Sequence, residues 1–325
     1  MSETVCAVVV TYNRKELLIE CLESLKEQSR TLDAVLIIDN ASTDGTPELL
    51  LKNGYIDNIP PMDLLEPYEL TSNKNQFPVH YVRSNRNTGG AGGFHEGLKK
   101  AYEQGYDWFW LMDDDGIASP NCLEILLTKK QFPIVGPVIM NNENHEELAI
   151  QKTITVNGKN VDILTVDDAY KVSKDKIITG YAVFFSGLLI SKDVVEKIGY
   201  PRKEFFIWGD EAEYSLRAFS NNFNAALVLD AHYFHPLNRV TIKYPLKGLI
   251  GHSIITNDLK SYCYHRNYFH IKKDYEGYKV TLLWMISETT RRIILNDWKG
   301  LKIILKAWQD GILNKWGNER EFIIE

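Results

Sequence analysis

The 325 residues predict an α/β fold, a mostly parallel central sheet flanked by helices, with a helical extension at the C-terminal end. Three observations carry this reading. Val5-Cys6-Ala7-Val8-Val9-Val10 and Ala34-Val35-Leu36-Ile37-Ile38 are unbroken apolar runs rich in β-branched residues, the pattern of strands buried on both faces. Helical periodicity separates them, so strand and helix alternate from the first residues. From about Leu246 the chain turns to long segments rich in Tyr, Trp, Ile, Lys and Arg. The expected division is an α/β domain over 1–245 and a helical region over 246–325.

Taken in order, the first strand is followed by Arg14 to Gln28, which places Leu17, Leu18, Cys21, Leu22 and Leu25 on one helical face. The second strand ends at Asp39-Asn40, and Ala41 to Thr46 supplies turn and capping residues before a short helix. Residues 53–78, with Pro60, Pro61, Pro67 and Pro78, read as an insertion loop. Val79-His80-Tyr81-Val82 resumes the sheet, and the Gly-rich segment Asn87 to Gly93 leads into a helix over Phe94 to Gln104. Asp107 to Met112 is a buried strand, Cys122 to Lys130 a helix, Ile134 to Val138 a strand, and Asn157-Gly158 a hairpin turn. Ala225 to Leu229 is a further strand. Three helices are expected at 257–275, 278–295 and 299–316.

Composition narrows the function. A net charge of −6 speaks against a nucleic-acid binder with a broad basic face. Cys6, Cys21, Cys122 and Cys263 show no C-x-x-C spacing, so neither a zinc site nor a disulfide framework is expected, and reduced thiols suit a cytoplasmic protein. No secretory leader pattern opens the chain, and no apolar run approaches the ~18 residues that span a bilayer. A place on the inner face of a membrane stays open.

The chemistry is concentrated where strands end. In open α/β sheets ligands bind beyond the carboxyl ends of the strands. Four polar clusters fall there: Thr11-Tyr12-Asn13, Asp39-Asn40, Asn85 to Gly93, and Asp113-Asp114-Asp115. Three adjacent carboxylates repel one another unless they meet water or a cation, and all-oxygen ligands suit Mg²⁺ or Mn²⁺. A solvated acidic turn is the plain alternative, and the strand before the acids and the glycines upstream count against it. The glycine run is neither a dinucleotide fingerprint, since His95 stands where a glycine is required, nor a Walker loop, since Leu98 follows Gly97. It leaves a backbone that a ligand can approach closely at a helix start.

A second acidic group follows the aromatic run Phe205-Phe206-Ile207-Trp208-Gly209. Asp210 and Glu211 open a helix, where the dipole favours carboxylates and suits a general base. Glu213 fits a structural pairing with Arg217 equally well. His232 and His235 follow the late strand, and either suits a metal's coordination shell.

At this point the residues resemble a known family. Val9 to Arg14, Ile38 to Thr46 and the triple aspartate together are similar to the inverting family-2 glycosyltransferases of GT-A fold, over about residues 4–240. Asn87 to Phe94 resembles the bacterial galactofuranosyltransferase and rhamnosyltransferase-like branch. The resemblance implies that Thr11 and Asp39 contact the base and ribose of the donor, and that Asn87, Gly89 and Gly90 line its pocket. It implies Asp113 and Asp115 as ligands of Mn²⁺ or Mg²⁺ with His235, and Asp114 toward the sugar or behind the ligands. Glu211 stands where the family usually has Asp, so Glu211 and Asp210 both remain candidates for the base, and Trp208 would stack on a sugar. The implied reaction is a single displacement with inversion, moving a hexose to a hydroxyl of a glycan or lipid-linked glycan in surface polysaccharide synthesis. UDP-galactofuranose is the leading donor and a dTDP-rhamnose donor the alternative.

Two other classes compete with this one. A sugar-1-phosphate nucleotidyltransferase would show a basic Gly-rich loop near the start, and Val5 to Arg14 has none. A non-enzymatic carbohydrate-binding or membrane-assembly module would have no use for intact acid clusters. In the tail, Arg291, Arg292, Lys299, Lys302, Lys306 and Lys315 interleave with Trp284, Trp298, Trp308 and Trp316. That stripe fits an amphipathic surface at an anionic membrane, or tryptophans packed on the domain or on a second copy in a homo-oligomer.

Overall fold

The structure, a computed structural model, describes residues 3–61, 63–156, 159–237, 242–243, 254–255 and 257–323. In chain order the elements begin with β1 (Val5–Thr11), α1 (Lys15–Lys26), β2 (Ala34–Asp39), α2 (Thr46–Lys52), β3 (Tyr68–Ser72) and β4 (Val79–Arg83). Then come α3 (Gly89–Glu103), β5 (Trp108–Asp113), β6 (Ile117–Ala118), α4 (Cys122–Leu127), β7 (Ile134–Asn141), β8 (Glu147–Val156) and β9 (Lys159–Thr165). α5 (Val166–Val172), β10 (Ile177–Thr179), β11 (Ser186–Ser191), α6 (Lys192–Ile198), α7 (Asp210–Ser220) and β12 (Ala225–His235) follow. The last helices are α8 (Asp258–Tyr275), α9 (Tyr278–Ile294) and α10 (Trp298–Ile312).

Two compact units emerge, each taken over its described residues. The first is Met1–Thr88, Gly93–Tyr200 and Arg217–Asn238; the second is Gly89–Gly92, Pro201–Leu216 and Arg239–Glu325. The expected boundary at 245/246 lies outside the described residues.

The first unit is built on a 12-stranded sheet whose main path runs β10-β12-β7-β11-β5-β1-β2-β4-β3. Strands β5-β1-β2-β4 pair in parallel, the run the sequence predicts, and β7 and β12 form a second parallel pair. Every residue of β1 and β2 is buried, as the unbroken apolar runs require. The sheet as a whole is mixed, because β11 inserts antiparallel between β5 and β7 and β3 caps β4 antiparallel. β3 lies inside the stretch expected to be a loop; it is a short edge strand with alternating burial. Strand β12 outruns the expected Ala225–Leu229 and continues past a bulge between Val228 and His232. Asn157-Gly158 lie outside the described residues, while β8 and β9 on either side pair antiparallel.

The Gly-rich segment departs from expectation. It is the first turn of α3, not a loop before it. A Cβ on Gly93 would meet Val10 Cγ1 at 2.4 Å, and one on Gly97 would meet Val8 Cγ1 at 2.4 Å. Missing side chains let α3 lie directly on β1.

In the second unit the tail helices pack largely on themselves. Trp308 is 2% exposed, Trp284 meets it edge-on at 5.8 Å, and Trp316 stacks on His270 at 4.8 Å. Arg291 and Arg292 are buried and paired with Glu288 and Asp297. Trp298 stays exposed, as do Leu282, Leu283, Ile286, Ile293 and Ile294 on α9. No helix among the described residues is long and apolar enough to cross a membrane.

Candidate active site

Parallel pairing puts the chemistry of the first unit on one edge. In register, Thr11 stands beside Asp39, Val10 beside Asp113, and Asp39 beside Arg83. Asp39 is wholly buried: its Oδ2 accepts from Tyr81 Oη at 2.5 Å and Arg83 at 2.9 Å, and its Oδ1 from the Ser42 N–H at 2.7 Å. Arg83 in turn donates to the Ser42 carbonyl at 2.8 Å. The Asp39 carboxylate thus organises the loop after β2 from below.

The three aspartates occupy different environments. Asp114 is buried, accepting from Thr11 Oγ1 at 2.6 Å and from Arg14 at 3.3 Å. Burial holds its carboxyl up at about 6. Asp113 ends β5 and is pushed up to about 8, first by burial and then by the charges of Asp115 and Asp114. Burial raises Asp115 as well, but His235 and Arg14 outweigh it and leave this carboxyl below its ordinary range. Arg14 donates to Asp115 Oδ2 at 2.6 Å, a partner that the sequence reading did not assign.

His235 reaches this cluster through strand pairing. β12 runs antiparallel to β6 with Phe234 opposite Ile117, two residues past Asp115. His235 Nε2 consequently lies 3.1 Å from Asp115 Oδ1, whereas His232 pairs with Val138 farther back. His235 Nδ1 faces the Pro236 carbonyl at 2.7 Å, so Nδ1–H donates there and Nε2 points to the acid. A histidine anchored in this way through Nδ1–H is oriented to bind a metal through Nε2.

Among the described residues no group of three or more His, Cys, Asp or Glu side chains is already gathered as a cation site. The donor set nevertheless suits a hard cation. Asp115 Oδ1 is buried, and its neighbour is the His235 nitrogen at 3.1 Å, so a carboxylate oxygen and an imidazole nitrogen converge on one point.

Along α3, Gly89 is in the left-handed region at φ +71, and a Cβ there would lie 2.1 Å from the Phe206 carbonyl oxygen. The Ala91 N–H donates to that same oxygen at 3.0 Å. Gly90, half-buried, has nothing within 4 Å of where its Cβ would be. Asn87 is half-buried, and Thr88 Oγ1 donates to Asn40 Oδ1 at 2.8 Å.

The second unit holds the other acids. Phe206 and Trp208 both have φ +64, an uncommon conformation for bulky residues and one that clusters at functional sites. Asp210 and Glu211 begin α7, with Asp210 buried and Glu211 exposed. Glu211 Oε2 accepts from the Gly209 N–H at 3.2 Å. Glu213 is buried and accepts from Tyr275 Oη at 3.1 Å. Arg217 donates to the Ile198 and Tyr200 carbonyls, at 2.6 and 3.0 Å. Half-buried Trp208 meets Tyr264 edge-on at 6.1 Å, Tyr264 stacks on Tyr268 at 4.2 Å, and Lys260 Nζ lies 5.4 Å from the Trp208 ring.

A parallel sheet with acids and glycines along one carboxyl edge defines a nucleotide-binding α/β enzyme class. Residues 6–147 match the family described as glycosyl transferase family 2. Galactofuranosyltransferase GlfT1 of Mycolicibacterium smegmatis is 31% identical over 270 residues, covering 82% of this chain and 82% of that protein. GlfT1 of Mycobacterium tuberculosis is 31% identical over 254 residues, covering 76% of this chain and 75% of that one. Among solved structures, TarS 1-349 of S. aureus in complex with UDP is similar at TM-score 0.49 and 16% identity, covering 72% of this chain and 60% of that one. The chain belongs to glycosyl transferase family 2: it is a glycosyltransferase, with the GT-A type of mixed sheet flanked by helices.

Proposed function

We propose that this glycosyltransferase moves galactofuranose from a UDP donor to a hydroxyl of a glycan or lipid-linked glycan, with inversion at the anomeric carbon. The observation that carries the reading is the 31% identity to GlfT1 across 82% of both chains, together with the glycine-opened α3.

In this proposal Thr11, Asp39 and Asn87 shape the nucleotide side, and Gly89 and Gly90 leave backbone free for the diphosphate and donor sugar. Asp113, Asp115 and His235 would hold Mn²⁺ or Mg²⁺, with Asp114 fixing Thr11 and Arg14 behind them. A bound cation supplies charge neutralisation for the departing nucleoside diphosphate. Arg14, half-exposed on Asp114 and Asp115, adds a second positive group for the same oxygens.

Glu211 takes the proton from the acceptor hydroxyl. Its place in the first turn of α7 and its exposure leave the carboxylate accessible to an acceptor. Asp210 is the alternative base. Trp208, extended by Tyr264 and Tyr268, offers ring faces to an acceptor sugar. The exposed aliphatic face of α9 supports a lipid-linked acceptor and a peripheral membrane contact, and contact with a second copy is the other use of that face.

Nucleotide sugars, tested one by one for Mn²⁺-dependent release of nucleoside diphosphate, decide the donor. UDP-galactofuranose should turn over fastest. Selective turnover of dTDP-rhamnose would replace the donor assignment, and no turnover of any nucleotide sugar would refute the transferase reading of this site.

A further inference from the structure

The loop that leads into α7 has an external support. Its carbonyls at Phe205, Ile207 and Trp208 converge on one side-chain amide: Asn267 Nδ2 donates to them at 2.9, 3.1 and 2.7 Å. The neighbouring Arg266 donates to the carbonyls of Glu204 at 3.2 Å and Phe205 at 3.0 Å. Arg266 Nε also donates to Asn267 Oδ1 at 3.1 Å, which orients the amide with its NH₂ toward the loop. At its far end Arg266 pairs with Glu319. Arg266 and Asn267 are both 0% exposed.

Placing an arginine and an asparagine wholly inside the protein is unfavourable unless their donors are satisfied. Here the satisfied donors fall on a backbone with two left-handed bulky residues, Phe206 and Trp208, which costs on the order of 1–3 kcal/mol per residue. Without those bonds the loop has an incentive to relax, and α7 begins two residues after Trp208.

We propose that Arg266 and Asn267 are positioning residues for the reaction: from α8 they hold residues 204–208 in the conformation that aims the Asp210-Glu211 pair. The proposal rests on the reading of that pair as the base. A pair that merely stabilised the fold would lower activity only in step with loss of folded protein. A positioning pair lowers turnover while the protein stays folded and still binds nucleotide.

Asn267→Asp keeps the shape but sets a carboxylate against three carbonyl oxygens. Asn267→Ala removes the amide without adding charge and serves if the first variant does not fold. Arg266→Lys removes the fork. Ile304→Ala is the control, since Ile304 is buried beside Phe269 and Trp308 and weakens the same helices. Three quantities are measured on full-length protein: hydrogen exchange at residues 205–211, UDP affinity by calorimetry, and kcat for UDP release from UDP-galactofuranose.

The Asn267 and Arg266 variants should exchange at least about tenfold faster at 205–211 and lose on the order of 10²-fold in kcat, with UDP affinity within about twofold of wild type. Ile304→Ala should leave all three within about twofold. Exchange no faster than in Ile304→Ala overturns the proposal, and so does faster exchange with kcat unchanged. If wild type turns over no donor, the proposed reaction fails, and the exchange measurement alone decides the clamp. If Glu211→Gln and Asp210→Asn both keep turnover while the clamp variants lose it, the base assignment fails and the positioning proposal falls with it.

Discussion

Gly89→Ala is the substitution whose cost the structure states most directly. Two penalties add. The residue sits at φ +71, where an L side chain costs ~1–2 kcal/mol. Its new methyl would also stand 2.1 Å from the Phe206 carbonyl oxygen and 2.9 Å from the Phe206 ring. The nearer atom is backbone, so a segment must move, and such overpacking typically costs ~1–3 kcal/mol. The sum is about 2–5 kcal/mol of lost stability. Gly90→Ala is its counterpart, because nothing lies within 4 Å of the new methyl and the position is inside a helix. There alanine should gain about 0.5–1 kcal/mol, while the methyl intrudes on the space proposed for the donor diphosphate. Urea unfolding of both variants, paired with UDP titration, checks the contrast. Loss of under 1 kcal/mol in Gly89→Ala, or Gly90→Ala as destabilising as Gly89→Ala, would refute the reasoning.

Three further outcomes are expected. Glu211→Gln should reduce kcat about 10²-fold or more while leaving UDP affinity unchanged; a larger loss in Asp210→Asn moves the base by one residue. His270 is held down at about 4, first by burial and then by Arg202 and Lys273. Its folded value lies below the unfolded one near 6.5, so its stability contribution is complete above 6.5 and drains away as pH falls toward 4. After allowance for solvent screening the loss is about 2 kcal/mol. His270→Phe should flatten that part of the pH–stability curve in urea unfolding; an unchanged slope assigns it elsewhere. Anionic liposomes should co-sediment the protein at low salt through α9, and Leu283→Glu with Ile286→Glu should abolish this; wild-type protein left in the supernatant at low salt would exclude the membrane contact.

Legibility followed physics. β1, β2 and β5 could be read because strands buried on both faces leave unbroken apolar runs, and the acids stood out because they end such a run. The antiparallel strands β3 and β11 were harder, since their partners lie far along the chain or their pattern is short and half-polar. The start of α3 was misplaced because glycines weigh against a helix in isolation; contacts with Val8, Val10 and Phe206 make them necessary. Arg14 closes the Val9 to Arg14 motif, but which acids it meets depends on β5 lying beside β1. Arg266 and Asn267 left no signal, because a polar pair in mid-helix reads as surface. The tail tryptophans showed the right spacing, and spacing alone does not say which face is buried.

The central claim is that the triple-aspartate edge holds a nucleoside diphosphate through a divalent cation. Calorimetric titration of UDP into wild type, Asp113→Ala and Asp115→Ala, each with and without Mn²⁺, tests it without need of an acceptor. Mn²⁺ should tighten UDP binding to wild type by about tenfold or more, a gain of at least ~1.4 kcal/mol, and to neither variant. Equal UDP affinity with and without Mn²⁺ in wild type, or a Mn²⁺ effect that survives both substitutions, would contradict it.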